Sequence, residues 1–337
     1  MRLLVTGGAG YIGSIVVEKL LGIGHEVTVL DNLQEGNRSA VLTEAKFVKG
    51  NFGDKKILKD IFKKYNFEAV LHFAAETTIE FSMTDPNRYF KNNLVNSINL
   101  LEVMRESNCK QIIFSSTAAT FGEPQYTPID EKHPQKPINA YGESKLLFEK
   151  VLRWYHKAYN FKYIVFRYFN AAGASQKLGE DHKHESHLIP LVLKKAIKVK
   201  EETRNHEKGL IEPFVIYGNN YSTKDGTCVR DFIHVLDLAD IHIRGLDKFD
   251  EISSGMYNLG NGNGFTVLEV MKACERVTGY KIPSIFGERR IGDPAILIAS
   301  SELANKDLNW KPIYPNIDDI ISTAWNWHKS NPQGYTS

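Results

Sequence analysis

Two residues four positions apart, Tyr141 and Lys145, are the clearest candidates for chemistry in this chain. On a helix, this spacing places both side chains on one face. A phenol with an ordinary pKa near ~10 is a weak base at neutral pH, whereas a lysine ammonium held beside it favours the phenolate. The pair is therefore a candidate proton shuttle for a sugar or alcohol hydroxyl. The same spacing is also typical of a surface tyrosine beside a solvated lysine, so other motifs must decide between the two interpretations.

Three glycines, Gly7, Gly10 and Gly13, directly follow the first apolar run and open an amphipathic stretch. Glycines between a strand and a helix allow a tight turn whose backbone approaches a pyrophosphate at the helix N-terminus. Asp31 ends the second apolar run about 20 residues later, where a carboxylate binds the 2′-hydroxyl of a ribose. That carboxylate would repel a 2′-phosphate, and Asn32 and its neighbour offer no arginine to accept one. The pattern predicts NAD rather than NADP, the alternative being a glycine turn without a ligand.

Composition restricts the class of protein. The chain has 337 residues, 42% of them hydrophobic, and a formal net charge of +2. The balanced charge gives no reason to expect nucleic acid or a membrane surface as a partner. No run approaches the ~20 apolar residues of a membrane helix, and the first apolar run is too short for a signal peptide. Three widely spaced cysteines fit free thiols in a reducing compartment, so we expect a soluble cytoplasmic protein. We predict no metal site.

Strands and helices that would position these residues alternate along the first half of the chain. Predicted strands lie at 2–6, 26–30, 46–48, 69–73, 111–115 and 163–168, and predicted helices at 12–21, 55–64, 87–106 and 141–159. This alternation predicts an α/β fold with a Rossmann-type, doubly wound parallel sheet. Further on we predict helices at 187–199 and 234–249, a strand at 256–259, a helix capped by Thr266, and two helices after Ser301.

The change of pattern after residue 172 predicts two domains with more than one crossing between them. We expect an NAD-binding Rossmann domain of residues 1–172 plus about 230–262. A smaller α/β C-terminal domain, of about 173–229 plus 263–337, would bind the substrate.

The Gly-x-x-Gly-x-x-Gly spacing, taken with Tyr141 and Lys145, resembles the extended branch of the short-chain dehydrogenase/reductase superfamily. The resemblance implies that Thr117, at the end of the fifth strand, is a third catalytic residue. A hydroxyl at the carboxyl end of a parallel strand faces the ligand crevice, although Thr117 is also an ordinary strand terminator. The cofactor contacts that the resemblance implies are Gly7, Gly10, Tyr11, Ile12, Gly13, Asp31, Asn32, Asn51, Phe52, Phe73, Ala74, Ala75, Asn92, Ser115, Tyr141, Lys145 and Tyr168.

Residues after Thr117 separate the reaction classes within this superfamily. Its dehydratases and decarboxylases carry a carboxylate there for a second acid–base step, whereas this chain has Ala118, Ala119 and Thr120. Elimination chemistry is therefore disfavoured.

An ordered series of motifs makes the chain similar to the UDP-glucose 4-epimerase family over essentially its whole length. The series runs through Arg167 to Asn170, Gly179 to His182, His187 to Pro190, Asp225 to His234, Asn258 to Gly262, Arg289 to Asp293, and Asn331 to Tyr335. The resemblance implies a UDP-sugar substrate that is oxidised at C4 and reduced again by a recycled NAD. Implied substrate contacts are Thr117, Tyr141, Asn170, His187, Leu188, Val215, Tyr217, Arg230, Arg290, Asp293 and Leu297. It also implies a homodimer joined through the helices at 87–106 and 141–159.

Three departures from the family pattern leave questions open. Asn51 stands where many members have an aspartate facing adenine, and Glu80 stands where relatives have glycine, either turned outward or repelling the substrate. Leu297, at the position that governs access of N-acetylated sugars, favours non-acetylated substrates. The alternatives are an epimerase of UDP-N-acetylhexosamines or UDP-pentoses, and a binding protein that kept the fold without the chemistry.

Overall fold

A computed structural model describes residues 1–205, 211–290 and 293–336. Residues 206–210 and 291–292, both in the predicted substrate domain, lie outside the described residues. The strands are β1 (Arg2–Thr6), β2 (Glu26–Asp31), β3 (Lys46–Lys49), β4 (Ala69–His72), β5 (Gln111–Thr117), β6 (Lys162–Tyr168), β7 (Asn170–Ala172), β8 (Phe214–Tyr217), β9 (Val229–His234), β10 (Ser254–Leu259), β11 (Gly264–Thr266), β12 (Ser284–Gly287) and β13 (Ile296–Leu297). The helices are α1 (Tyr11–Gly22), α2 (Lys55–Tyr65), α3 (Ile79–Thr84), α4 (Pro86–Tyr89), α5 (Asn96–Glu106), α6 (Ala140–Tyr159), α7 (Leu188–Asn205), α8 (Val235–Asp247), α9 (Val267–Thr278), α10 (Glu302–Leu308) and α11 (Ile317–Ser330).

Seven strands form one parallel sheet in the order β10-β6-β5-β4-β1-β2-β3. Successive residues of a strand face opposite sides, so Leu3 and Val5 pack with α1, α8 and α10 while Leu4 packs with α2, α5 and α6. Helices on both faces explain why these strands are apolar throughout. The predicted Rossmann-type α/β fold is confirmed. The strand order reverses between β1 and β4, and ligands of such sheets bind at the carboxyl ends beside that point.

A smaller α/β unit follows from the second half of the chain. Strand β9 pairs with β7, β11 and β13, while β8 pairs with β12. Helices α7, α9 and α11 pack together over a separate apolar core that includes Val192, Val270 and Ile320. As predicted, Thr266 caps α9, and its hydroxyl and the Glu269 carboxylate exchange hydrogen bonds with each other's backbone N–H.

The chain passes between the two units more than once. We predicted a return to the larger unit at about residue 230, whereas the structure places that return after β9. Strand β9 lies in the smaller sheet, whereas α8 packs on α1 and β10 pairs with β6 in the large sheet. A short buried strand carries no local signal of which sheet it will join, because its neighbours come from distant parts of the chain.

The helix predicted at 87–106 is interrupted. A π-helical turn, Phe90–Val95, separates α4 from α5. Within it, the buried Asn93 side chain accepts a hydrogen bond from the Glu76 N–H (2.8 Å) and donates to the Glu76 carbonyl (2.9 Å) and the Ser144 hydroxyl (3.1 Å). Turns of this kind recur at functional sites, and here the turn joins the segment after β4 to helix α6.

Two further features bear on the class of protein. Cys109, Cys228 and Cys274 are buried, unpaired thiols, and burial raises the pKa of Cys109 to about 12 and raises the pKa of Cys228. They are therefore inert packing residues rather than activated nucleophiles. Within residues 1–205, 211–290 and 293–336, none of the helices combines the length and apolar character needed to cross a membrane.

Candidate active site

Thr117 closes β5 at the carboxyl edge of the large sheet. Its hydroxyl accepts a hydrogen bond from the Ala119 N–H (3.1 Å) and so caps a short 3-10 turn, Ala118–Thr120. The Thr120 hydroxyl in turn donates to the Thr117 carbonyl (3.0 Å). These local bonds fix the direction in which the strand ends and hold the Thr117 side chain in place.

Tyr141 lies in the first turn of α6, which begins against the turn that follows Thr117. The Asn139 side chain caps the helix by accepting from the Gly142 N–H (2.8 Å). A Cβ at Gly142 would lie 2.4 Å from the Ala119 carbonyl oxygen, so only glycine allows this approach. Burial raises the pKa of Tyr141 to about 12, although the hydrogen bond with the Thr117 hydroxyl lowers it. The two predicted residues therefore lie within hydrogen-bond reach of each other.

Lys145 lies one turn further along α6 and is almost fully buried. Its ammonium donates to the Ser115 carbonyl (2.8 Å) and lies 4.7 Å from the centre of the Phe114 ring. Burial lowers the pKa of Lys145 to about 7, and the negative charge of Glu149 opposes this shift. The structure thus places the Tyr141–Lys145 pair and Thr117 at one end of β5.

The glycine turn after β1 has the shape that a phosphate-binding turn needs. Gly7 has a positive φ of +74°, and a Cβ there would lie 2.5 Å from the Ala74 nitrogen. A Cβ at Gly13 would lie 2.3 Å from the Gly7 carbonyl oxygen, and Gly10 caps the N-terminus of α1. The close passage of the backbone here leaves the N–H groups of the helix start available to an anion.

Asp31 ends β2 beside this turn. Its carboxylate accepts hydrogen bonds from the Ala9 N–H (3.0 Å) and the Leu33 N–H (2.8 Å). Burial raises the pKa of Asp31, while these two backbone bonds oppose the shift. The carboxylate is thus held at the end of the second strand, where a dinucleotide ribose binds in such folds.

Most other predicted cofactor residues lie around the same carboxyl edge of the sheet. Several of them form hydrogen bonds with other residues of the protein. The Tyr11 hydroxyl donates to the Gly173 carbonyl (2.6 Å), and the Tyr168 hydroxyl bonds to His242 Nε2 (2.6 Å). The Asn51 amide oxygen accepts from the Gly53 N–H (2.7 Å), so it is held locally. Among the apolar residues, Ile12 and Phe73 pack against the core that contains α1 and α8, whereas Phe52 and Ala74 belong to or pack against the core that contains α2, α5 and α6. The Asn32 side chain accepts a hydrogen bond from the Gln34 N–H, and the Asn92 side chain donates one to that of Asn93. Ala75 lies in the segment after β4.

Predicted substrate residues gather in the smaller unit beside the crevice. Asn170 on β7 donates to the Asp231 carbonyl (2.9 Å), and Leu297 on β13 lies opposite Arg230 on β9. The Arg230 guanidinium forms an ion pair with Asp293 and donates to the Pro294 carbonyl (2.9 Å). Arg230 and Asp293, each expected to contact UDP, are therefore bound to each other through their opposite charges.

The remaining predicted substrate residues lie on β8, near its neighbour Arg290, and at the start of α7. The Arg290 guanidinium lies 4.3 Å above the centre of the Tyr217 ring, and both residues are exposed. Val215 precedes Tyr217 on β8 and pairs with Ile285 of β12. His187 and Leu188 lie at the start of α7.

Comparison with known proteins decides the family. Residues 3–260 match the NAD dependent epimerase/dehydratase family. The chain belongs to this family. A UDP-glucose 4-epimerase of Lacticaseibacillus casei is 47% identical over 338 residues, which cover 99% of each chain.

Solved structures of the family agree over the full length. A crystal structure of UDP-glucose 4-epimerase has a TM-score of 0.94 and 47% identity, covering 100% of both chains. The Bifidobacterium longum UDP-glucose 4-epimerase in complex with NAD+ and UDP has a TM-score of 0.91 and 37% identity, covering 99% of this chain and 100% of that one.

Sequence reasoning missed the buried residues that hold β5, β6 and α6 together beside the three predicted catalytic residues. Glu149 and Arg167 are buried and paired through two hydrogen bonds of 3.0 and 2.7 Å, and Glu149 also accepts from the Ser116 hydroxyl (2.6 Å). Glu149 lies four residues after Lys145, so the same helical spacing could have found it. Asn93, the neighbour of the predicted cofactor residue Asn92, was also missed as a support, since adjacent asparagines give no signal of which one is buried.

The segment after β4, which contains Glu76 and Glu80, is held by local contacts. Glu80 is exposed in the first turn of α3, where a carboxylate is favoured by the helix dipole. Glu76, four residues earlier, forms an ion pair with Arg88 (2.8 Å) and accepts from the Gln34 amide (2.8 Å). The Glu80 carboxylate is therefore in contact with solvent.

Proposed function

We propose that this chain is a UDP-glucose 4-epimerase that interconverts UDP-glucose and UDP-galactose. The observation that carries this is 47% identity over 99% of the chain to a UDP-glucose 4-epimerase, with Thr117, Tyr141 and Lys145 gathered at the carboxyl edge of the sheet. Its cofactor is NAD, for which the glycine turn and Asp31 are suited. The glycine turn and Asp31 would hold NAD, which would supply the hydride acceptor, and in its reduced form the hydride donor, for C4 of the sugar.

The chain's own residues manage the proton. Tyr141, as phenolate, takes the proton of the 4-hydroxyl, while the Lys145 ammonium stabilises the phenolate and Thr117 hydrogen-bonds the 4-oxygen. The 4-keto sugar then turns about its bond to the diphosphate, and Tyr141 returns the proton when the opposite face is reduced. One base therefore serves both faces of C4, and no external oxidant is consumed.

Anchoring of UDP allows the sugar to turn. We assign this to the smaller unit, with Arg230 and Arg290 as bidentate partners of the diphosphate and Asn170 beside the phosphate–sugar bond. Arg230 would exchange its ion pair with Asp293 for the diphosphate, leaving Asp293 to bind the uridine ribose. The larger unit would bind NAD, and Leu297 would limit the sugar pocket to non-acetylated substrates.

Two further proposals concern the assembly of the chain and the compartment in which it works. A homodimer through α5 and α6 is supported by exposed apolar residues on and next to these helices, Val95, Trp154 and Tyr159. The unpaired cysteines support a reducing, cytoplasmic compartment.

The test is to incubate purified protein with UDP-galactose, without added NAD, and to measure UDP-glucose. We expect conversion by the wild type, and a loss of kcat of about 1,000-fold or more in Tyr141→Phe, because the base is removed. The matched control is Tyr126→Phe, which alters an exposed tyrosine bonded to Asp130. Absence of conversion even with NAD added would overturn the proposal. Faster turnover of UDP-N-acetylglucosamine or a UDP-pentose would overturn the substrate assignment.

A further inference from the structure

The connection between β7 and α7 brings together four side chains with no assigned part in the proton transfer, Glu180, His182, Glu185 and His187, the last of which is also a predicted substrate contact. One ligand atom from each lies within 4.8 Å of all the others. Glu180 Oε1 lies 3.2 Å from His182 Nε2 and 2.8 Å from His187 Nδ1, while Glu185 Oε1 lies 3.1 Å from His187 Nδ1. Ligands of a tetrahedral metal ion bound at about 2.0–2.1 Å lie roughly 3.3 Å apart, so the separations of 3.1 and 3.2 Å match and that of 2.8 Å is shorter.

The cluster is built into the protein rather than spread on its surface. The side chains of Glu180 and Glu185 are only 4% and 6% exposed. Glu185 Oε1 accepts from the backbone N–H groups of Ser186 and His187 (2.9 Å each), whereas its buried Oε2 receives no hydrogen bond from the described residues. Buried carboxylate oxygens without donors are rare because their desolvation is costly. The orphaned oxygen therefore points to a missing cationic partner.

We propose that Glu180, His182, Glu185 and His187 bind a divalent transition metal ion of the zinc type, at a site separate from the reacting atoms. Two imidazole nitrogens with two carboxylate oxygens suit zinc and its neighbours, whereas calcium and magnesium prefer oxygen ligands alone. His187 is half exposed, which gives the ion a path from solvent. This proposal departs from the prediction of no metal site, because the four ligands come from a segment with no recognised zinc-binding spacing.

The position of the cluster indicates what the ion would do. Lys183 donates to the Leu33 carbonyl (2.9 Å), and the Asn37 amide donates to the Asp181 carbonyl (2.9 Å), so this connection is fastened to the loop after β2. The His182 ring contacts the Tyr11 ring edge-on at 6.3 Å, beside the glycine turn. The ion would hold the connection across the cofactor side of the crevice and fix the start of α7, and so slow the release of NAD.

The experiment uses the full-length, untagged protein with NAD bound, freed of metal by a chelator and then titrated with Zn²⁺ alone. We expect one ion per chain by calorimetry and by metal analysis after gel filtration, with a higher melting temperature and slower NAD release. His182→Ala and Glu185→Gln should weaken Zn²⁺ affinity about 100-fold or more and abolish the rise in melting temperature. The matched control, His184→Ala, removes a histidine of the same segment that lies outside the cluster and should bind Zn²⁺ like the wild type.

Either of two results would overturn the metal site. One is Zn²⁺ uptake well below one ion per chain without a rise in melting temperature. The other is unchanged affinity in both cluster variants. If His182→Ala does not fold, Glu185→Gln decides alone, since it is nearly isosteric. Epimerase activity is not the readout, so failure here leaves the proposed reaction untouched, and failure of the reaction leaves the metal site open to the same test.

Discussion

Lys145 and Tyr141 have pKa values that burial shifts in opposite directions. The pKa of Lys145 is lowered to about 7 and that of Tyr141 is raised to about 12, in each case because the charged form is desolvated. In the protein alone the phenol is therefore protonated at neutral pH. The pair becomes a useful base only when positive charge is added beside it, and the cationic nicotinamide of bound NAD+ supplies such charge. We propose that binding of the cofactor and activation of the base are linked through these two residues.

Replacement of Lys145 by methionine tests this link. We expect kcat to fall about 100-fold near neutral pH, because the phenolate loses its nearest cation. The acid limb of the pH profile should move to higher pH, so that part of the activity returns under alkaline conditions. The measurement is kcat against pH with saturating UDP-galactose. Lys150→Met, on an exposed position of the same helix, is the control, and an unshifted limb in Lys145→Met would contradict the assigned role.

At the scale of elements, the approach of α6 to the end of β5 decides whether Thr117 and Tyr141 meet. Gly142→Ala places a Cβ 2.4 Å from the Ala119 carbonyl oxygen, so the start of the helix must move away. We expect kcat to fall about 10- to 100-fold, since displacements near 1 Å cost catalysis heavily, while the fold persists. Gly22→Ala is the control, because a Cβ at the end of α1 meets nothing within 4 Å. Equal activity of the two variants would show that this contact does not position Tyr141.

A buried ion pair fastens β6 to α6 and, through Ser116, to β5. The side chains of Glu149 and Arg167 are 0% and 2% exposed, so removing one of them leaves the charge of the other buried without a partner. Glu149→Ala should lower the free energy of unfolding by about 3–5 kcal/mol. The double variant Glu149→Leu with Arg167→Met removes both charges and should regain most of that loss. Urea denaturation at a fixed NAD concentration measures both, and a double variant no more stable than the single one would refute the argument.

The elements differ in how far the sequence could predict them. Strand β1 and the start of α2 are placed to the residue, because continuous apolar runs and the Asp54 cap are local signals. The π-helical turn is not predictable, since its cause is the contact of Asn93 with the distant Glu76. The pairing of Arg230 with Asp293 also arises from tertiary proximity. The cluster around Glu180 lies within eight consecutive residues, but in a connection without the regular spacing of a helix or strand. Spacing thus finds residues on one helix, whereas residues from separate segments need the fold.

At the scale of the whole molecule, hydrogen bonds join the connection between β7 and α7 to α11 and the C-terminal tail. The Tyr335 N–H donates to Asp181 (2.9 Å), the Gly179 N–H donates to the Tyr335 hydroxyl (3.0 Å), and the Trp327 ring nitrogen donates to the Lys177 carbonyl (3.3 Å). Residues 177–181 are thereby hydrogen-bonded to α11 and to the segment that follows it.

Assembly is the remaining property at this scale, and we propose that two copies join through α5 and α6. The Tyr155 hydroxyl donates to Glu102 (2.5 Å), so the two helices present a joint face. On α6, Trp154 is 68% exposed, which is unusual for so large an apolar side chain unless a partner covers it. We expect the wild type to sediment as a dimer.

Trp154→Glu should shift the protein to the monomer at micromolar concentration, because the charge would be buried in an apolar interface. Analytical ultracentrifugation over a range of concentrations gives the dissociation constant, which should rise about 100-fold or more. Ile313→Glu is the matched control, since Ile313 is equally exposed (69%) but lies between α10 and α11, away from this face. A Trp154→Glu variant that remains dimeric would place the interface elsewhere, and a monomeric wild type would show that α5 and α6 do not join two copies.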